Sequence, residues 1–430
     1  MPKKTKSSKQ TSVSNHVVLE AIKKKLVGKR LSYSEIFAVM DEIAQKRLSP
    51  VLTTYFVAAG FTEGFNDDEL YYLTRAMAET GEQLSFKGIV ADKHSTGGVA
   101  GTRVTMILVP IIAAVGIKIP KNSSRAITSP SGTADTMEVI APVTFSPKQI
   151  MKIVNQVGGC IVWGGHLGLA PADDIIIQIE EPLAFESFDK AIVSIMAKKV
   201  ASGATHVVFD IPVGPNMKIR HMKDAVLIKR KFEYLARKFN VKVVCDINET
   251  AEPAGQGVGP ILEVRDVFRV LEGSPQRPLA LEQKAIRLAG KLLDLCFADM
   301  KKSEYKVGMG EVVATDMLYS GKALAKMREI IKAQGGDPHI SLNSFKMARY
   351  KYELKAQKNG RIAKLNNKTV SILARILGSP ADRKAGVYLD HKLNEHMDRG
   401  QVLCTFYSSD KWRLKEAEET VKNMPIYEIE

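Results

Sequence analysis

Apolar residues recur every three to four positions through the first eighty residues. "HVVLEAIKKKLV", "SYSEIFAVMDEIAQKRL", "SPVLTTYFVAAGF" and "NDDELYYLTRAMAETG" each carry that spacing, which predicts successive helices from residue 16 to about 83. Ser32 or Ser34, Ser49 ahead of Pro50, and Asn66 stand where a helix needs an acceptor for its first unpaired N–H groups. Gly81 stands where the last helix would stop. No two-residue alternation interrupts this stretch, so it reads as an all-helical domain.

The pattern then changes. "FKGIVADKH" carries a short strand signal, "VTMILVPIIAAVG" a buried helix, and "QIMKIVNQVGGCIVWG" a helix, a turn and a strand. "HVVFDIPVG" and "NVKVVCDIN" are β-branched runs, and "FDKAIVSIMAKKVASG" is an amphipathic helix. Strands that alternate with helices predict a mixed or mostly parallel sheet with helices on both faces. After about residue 345, "YKYELKAQKNGRIAKLNN" and "KAGVYLDHKLNEHMDRGQVLCTFYSS" are short and glycine-punctuated, which suggests a small β-rich subdomain. The fold class expected is α/β, with an all-helical domain and a β-rich C-terminal part beside the sheet domain.

Composition narrows this little. The chain has 430 residues, 45% hydrophobic and 25% charged, which suits a soluble globular protein of two or three domains. Residues 1–15 hold four Lys and no acid, and read as a flexible basic tail because no apolar signal-peptide region follows. The longest apolar run, Val104 to Ile117, is too short to cross a bilayer and contains Pro110, so no membrane partner is expected. Cys160, Cys245, Cys296 and Cys404 lie far apart with no CxxC pair and no His at ligand spacing. That argues against a zinc site or a disulfide framework and makes a reducing cytoplasm the default. The net charge of +15 suits nucleic acid or a small phosphorylated anion. No interleaving of basic and aromatic residues and no nucleic-acid module is present, which favours the small anion.

Four motifs carry candidate chemistry. "DKHSTGGV" follows a strand signal and precedes a helix. Its glycines let backbone N–H groups approach an anion, while Lys93, Ser95 and Thr96 add a cation and two hydroxyls. It has the spacing of neither a Walker loop nor a dinucleotide fingerprint, and a capped glycine turn would look the same. "NSSRAITSPSGTADTMEV" offers Ser123, Ser124, Arg125, Thr128, Ser129, Ser131 and Thr133 as donors that match the acceptor oxygens of a phosphate. Asp135 and Glu138 follow one turn apart, as the acidic start of a helix also would. In "SIMAKK", Ser194 and Lys198 share one helical face. In "PVGPNMKIR", Lys218 follows a strand end, the usual ligand edge of a parallel sheet, and the later basic residues read as a solvated helix face.

In this order, "DKHSTGGV", "SSRAITSPSGTADTMEV", "LAPADD", "SIMAKK" and "PVGPNMK" resemble the thymidine phosphorylase family, and more closely its AMP phosphorylase branch, over almost the whole chain from residue 16. The resemblance implies a helical domain of residues 16–83 with 174–203, an α/β phosphate-binding domain of 84–173 with 204–344 across a cleft, and a C-terminal subdomain of 345–430. It implies a homodimer or larger assembly, although the AMP branch usually adds an N-terminal domain where this chain has a short tail. It also implies phosphorolysis, with inorganic phosphate as co-substrate, small-molecule partners only, no metal and no cofactor.

By motif match, Lys93, Ser95, Thr105, Ser123 and Thr133 resemble the family's phosphate cradle, and His94, Ser194 and Lys198 the positions that contact the base. The AMP branch holds its nucleotide with residues matching Gly98, Ser124, Arg125, Ala126, Ile127, Thr128, Ser129, Thr133, Ser194 and Lys218. Where the thymidine branch has an Arg after "LAPAD", this chain has Glu180. A carboxylate there would repel a pyrimidine leaving as an anion, whereas adenine leaves more readily once protonated. Glu186 stands where the AMP branch has its proton-donating Asp, with Glu180 and His94 as further candidates.

Overall fold

The computed structural model of the chain describes residues 7–126, 129–180, 187–300 and 304–430. Ile127, Thr128 and Glu186 lie outside the described residues.

In chain order the elements begin with α1 (Ser7–Leu26), α2 (Tyr33–Ala44), α3 (Pro50–Glu63), α4 (Asp67–Glu79), β1 (Ala91–Ser95), α5 (Val104–Ala114), β2 (Ile119–Ser123), α6 (Thr133–Met137), α7 (Pro147–Val157) and β3 (Gly159–Trp163). They continue with α8 (Pro171–Glu180), α9 (Phe188–Ala201), β4 (His206–Val213), α10 (Met222–Lys238), β5 (Lys242–Glu249), β6 (Gly257–Val258), α11 (Pro260–Leu271), α12 (Leu279–Phe297), α13 (Gly310–Tyr319) and α14 (Lys322–Ala333). The last part is β7 (Tyr350–Lys355), β8 (Gly360–Leu365), α15 (Asn367–Leu377), β9 (Gly386–Leu389), β10 (His396–Met397), β11 (Val402–Ser408), α16 (Lys411–Asn423) and β12 (Tyr427–Ile429). α1 opens at Ser7, inside the stretch read as a tail.

The chain forms two compact units. The first takes the chain up to Phe86 with Leu167–Ala204 and Leu227–Val241. Its helices start where side chains replace the missing acceptors. Ser32 and Glu35 form a reciprocal capping box on α2, as do Asn66 and Glu69 on α4, and Ser49 caps α3 ahead of Pro50. Glu69 does more than cap. Buried, it pairs with the equally buried Lys25 of α1 at 3.1 Å and accepts from the Leu31 N–H at 3.0 Å, tying the two helices together. Removing one partner would leave the other charge buried alone, at a cost of about 3–5 kcal/mol. α8 and α9 return to pack on α2 and α4, respectively.

The second unit is Lys87–His166, Thr205–Val226 and Lys242–Glu430. β1, β4 and β5 form a parallel sheet with β4 in the middle, and all eight β4 residues are buried. That burial on both faces explains why "HVVFDIPV" is apolar on both faces apart from His206 and Asp210. β2 and β3 form a parallel pair, joined to the start of β1 by a parallel bridge from Val90 to Lys118. The loops after β1, β2 and β4 therefore leave from one edge, the carboxyl edge of the strands. α5 is buried from Val104 to Ala113, which is why its sequence shows no polar face.

The C-terminal β-rich part belongs to this same compact unit. β6 pairs antiparallel with β9, so the four-stranded sheet β6-β9-β11-β7 begins with residues 257–258. Ala100 and Val258 fill its core beside Leu373 and Phe406. No helix among the described residues is long and apolar enough to cross a membrane.

Candidate active site

In the α/β unit, Lys93, His94 and Ser95 end β1. Lys93 is buried, with its ammonium 3.7 Å from the Asp210 carboxylate of β4. Asp210 also accepts from Lys284 of α12 at 3.1 Å and from Asn248 of β5 at 2.9 Å. Burial works to raise the Asp210 pKa, but Lys93 and Lys284 outweigh it and hold the carboxyl below its ordinary value. For Lys93 the balance falls the other way. Burial brings the ammonium down to about 8, with Asp210 opposing the shift and the cations of Lys284 and Arg103 adding to it. A lysine so placed is charged at neutral pH and has little water to compete with an anion.

Beyond β1 the chain turns through Gly97 and Gly98 at φ of 86° and 90°, a region that side chains rarely adopt. Gly98 also lies against the backbone of Lys218, after β4, where an added Cβ would stand 2.9 Å from the Lys218 nitrogen. The first and fourth motifs thus meet. The Asn367 amide donates to the Gly98 carbonyl at 3.0 Å, and the Thr96 N–H to the Asp210 carbonyl at 2.9 Å. The Thr96 hydroxyl is buried and has no hydrogen-bond partner among the described residues. Such a group costs about 1–3 kcal/mol unless something binds it. Thr105 is buried in the first turn of α5.

The second motif leaves β2 at Ser123 and returns at Thr133, the first residue of α6. Its charges are spent on itself. Arg125 forks onto Glu138 at 2.7 and 2.8 Å, reaches Asp135 at 3.1 Å, and lies over the Trp163 ring at 4.9 Å. Asp135 accepts from the backbone of Ala126 at 2.7 Å and of Gly132 at 2.8 Å. Glu138 also pairs with Arg383 at 2.9 Å. The two carboxylates are therefore braces of the loop, and the guanidinium read as a phosphate donor faces them. Gly132 crosses so close that a Cβ would stand 2.4 Å from the Arg125 carbonyl carbon, so only glycine closes the loop. Ser124 is exposed, and the Ser129 hydroxyl donates to the Ser131 carbonyl at 2.6 Å.

In the helical unit, Ser194 and Lys198 of α9 converge on one oxygen of Asp173, each at 2.7 Å. Asp173 is fully buried, and its other oxygen has no partner among the described residues. Lys198 is raised above its ordinary value, because Asp173 outweighs the opposing effect of burial. Asp174 is pushed up to about 6 by burial, with Lys198 opposing and the Asp173 charge adding to the rise. Glu180, at the end of α8, pairs with Lys190, whose ammonium burial brings to about 8.

Asp173, Asp210, Lys284 and Arg103 are not among the candidate donors that the four motifs offer. Asp210 had a signal, a carboxylate inside an apolar strand run, and Asp173 sat unweighted in the quoted "LAPADD". Lys284 had none.

A family model described as "Glycosyl transferase family, a/b domain" matches residues 87–221, and that family's "helical bundle domain" matches residues 19–81. A "Pyrimidine nucleoside phosphorylase C-terminal domain" matches residues 361–428. An "AMP phosphorylase" of Methanospirillum hungatei is 42% identical over 95% of this chain and 78% of its own length. A "Putative thymidine phosphorylase" of Methylococcus capsulatus is 40% identical over 96% of this chain and 78% of its own. The solved anthranilate phosphoribosyltransferase of Thermus thermophilus covers 73% of this chain at a TM-score of 0.59 and 19% identity, and shares the fold. Helical bundle, α/β domain and C-terminal part together define a glycosyl-transferring enzyme. The chain belongs to the pyrimidine-nucleoside phosphorylase family, which includes the thymidine and AMP phosphorylases.

Proposed function

We propose that this enzyme phosphorolyses nucleoside 5′-monophosphates, AMP first among them, to free base and ribose 1,5-bisphosphate. The observation that supports it best is that the loops after β1 and β2 leave one carboxyl edge, with Lys93 and the Thr96 hydroxyl at the first and Ser123 and Thr133 at the two ends of the second. A nucleotide phosphorylase must hold two phosphates, the attacking one and the 5′-phosphate of the substrate. Lys93, Ser95, Thr105, Ser123 and Thr133 take the first in this reading, and Gly98, Lys218 and the backbone and hydroxyls of residues 124–129 take the second.

A phosphate oxygen bonds to C1′ as the C1′–N9 bond breaks, and its electron pair goes to adenine, which takes up one proton. Glu186 is the proposed donor, and His94 the second candidate. Glu180, where the thymidine branch carries a cation, suits a leaving base that is protonated rather than anionic. The nucleophile is inorganic phosphate itself, so the proposed reaction calls for no further cofactor. Glu186→Gln is expected to lower turnover on AMP by about 100-fold with little change in AMP binding. The test of the reading is a rate panel with phosphate. AMP, CMP or UMP releasing base faster than thymidine or uridine supports it, and the reverse order makes the enzyme a nucleoside phosphorylase.

A further inference from the structure

Arg103 stands at the N-cap of α5, ahead of the buried helix and after the Gly97-Gly98 turn. It is 9% exposed, and all three of its nitrogens are engaged. Nε donates to Glu263 of α11, Nη2 to the Ser131 carbonyl, and Nη1 to the Thr133 hydroxyl oxygen at 3.3 Å. Glu263 is itself fixed. It is 1% exposed and accepts from the Thr136 hydroxyl at 3.0 Å and from the Gly259 N–H at 3.3 Å. The guanidinium is thus clamped on one side by a buried carboxylate, and its other side faces the closing end of the second loop.

The consequence lies at Thr133. Its hydroxyl oxygen accepts a hydrogen bond from a cation, which leaves its own hydrogen for an acceptor, and no acceptor for it exists among the described residues. Thr133 is partly exposed, so that hydrogen is available to a ligand. A hydroxyl that accepts from a guanidinium is also polarised into a stronger donor. Its charge adds to the field that an anion meets, since Arg103 is close enough to Lys93 to disfavour the lysine's proton.

We propose that Arg103 is a positioning residue of the anion site: held by Glu263, it orients the Thr133 hydroxyl toward a bound phosphate and so couples the loop after β1 to the loop after β2. This rests on the phosphorolysis reading, in which Thr133 meets phosphate. A merely structural arginine would weaken every function of the unit alike, whereas a positioning arginine acts through one hydroxyl.

The test is a double-mutant cycle read by phosphate titration calorimetry and by phosphate KM against kcat, with melting followed in parallel. Arg103→Lys keeps the charge but cannot span the three acceptors, and Thr133→Val removes the hydroxyl. Each is expected to weaken phosphate binding about tenfold, and the double variant to bind within about twofold of Thr133→Val alone. Thr133→Ser, which restores the hydroxyl, is expected to bind within about threefold of the wild type. Should Arg103→Lys fail to fold, Arg103→Gln/Glu263→Gln removes both buried charges together and is expected to show the same loss on phosphate. Losses that multiply in the double variant, or an Arg103→Lys protein that binds phosphate as the wild type does, overturn the inference while leaving the reading intact. A wild-type protein that binds no phosphate overturns both.

Discussion

The two loops at the carboxyl edge of the sheet are both rich in hydroxyls and charge, yet they use them in opposite ways. The loop after β1 leaves some of its polar groups uncommitted among the described residues. Lys93 is buried and brought down to about 8, the Thr96 hydroxyl has no partner, and the positive φ of Gly97 and Gly98 sets their backbone in a turn that side chains rarely allow. The loop after β2 spends its charges on its own shape, with Arg125, Asp135 and Glu138 closed on one another and on the backbone of Ala126 and Gly132. A motif match names both sets as binding residues. Only the hydrogen-bond partners show which polar groups of the two loops are already committed to the fold.

That contrast can be broken most sharply at Lys93. Lys93→Met is expected to lower kcat/KM for phosphate by about a thousandfold, or about 4 kcal/mol. Stability should hold, because Asp210 keeps Lys284 and Asn248 as partners. A variant that melts early but retains its kcat/KM would make Lys93 a brace. The second loop predicts the reverse order. Asp135→Ala strands two backbone N–H groups and costs about 2–3 kcal/mol in urea unfolding, while kcat of the folded fraction stays within about tenfold of the wild type.

A smaller effect concerns pH. Below about 8 Lys93 is protonated and attracts phosphate, so phosphate KM is expected to rise as pH climbs through about 8. Stability instead rises with pH from about 8 to about 10.5, since an unfolded lysine keeps its proton to about 10.5 and the unfolded state binds more protons over that window. Asp210→Asn removes the anion that favours the charged form, and the rise in KM should move about one pH unit lower. An unmoved break would detach Lys93 from Asp210. The smallest effect is at Thr96. Thr96→Val is expected to raise phosphate KM about three- to tenfold at unchanged kcat, with equal or slightly higher stability, because it deletes an unsatisfied buried hydroxyl.

What the sequence disclosed was local. The three-to-four residue spacing marks α1 to α4, and Ser32, Ser49 and Asn66 do cap their helices, because a cap needs only its own next three residues. β4 and β5 show as β-branched runs for the same reason. The braces were not legible, since each joins distant positions. Arg103 and Glu263 stand 160 residues apart, and β6 meets β9 across most of the C-terminal half. Arg125 is the clearest case. Its residue type suits a phosphate, and nothing in the local pattern says that two carboxylates ten and thirteen residues on will claim it.

Phosphorus NMR of AMP and inorganic phosphate with the enzyme at neutral pH distinguishes nucleotide from nucleoside phosphorolysis. Inorganic phosphate is expected to decline as ribose 1,5-bisphosphate grows in, in step with free adenine. A mixture in which AMP and phosphate stay unchanged, while thymidine under the same conditions yields deoxyribose 1-phosphate, would contradict it.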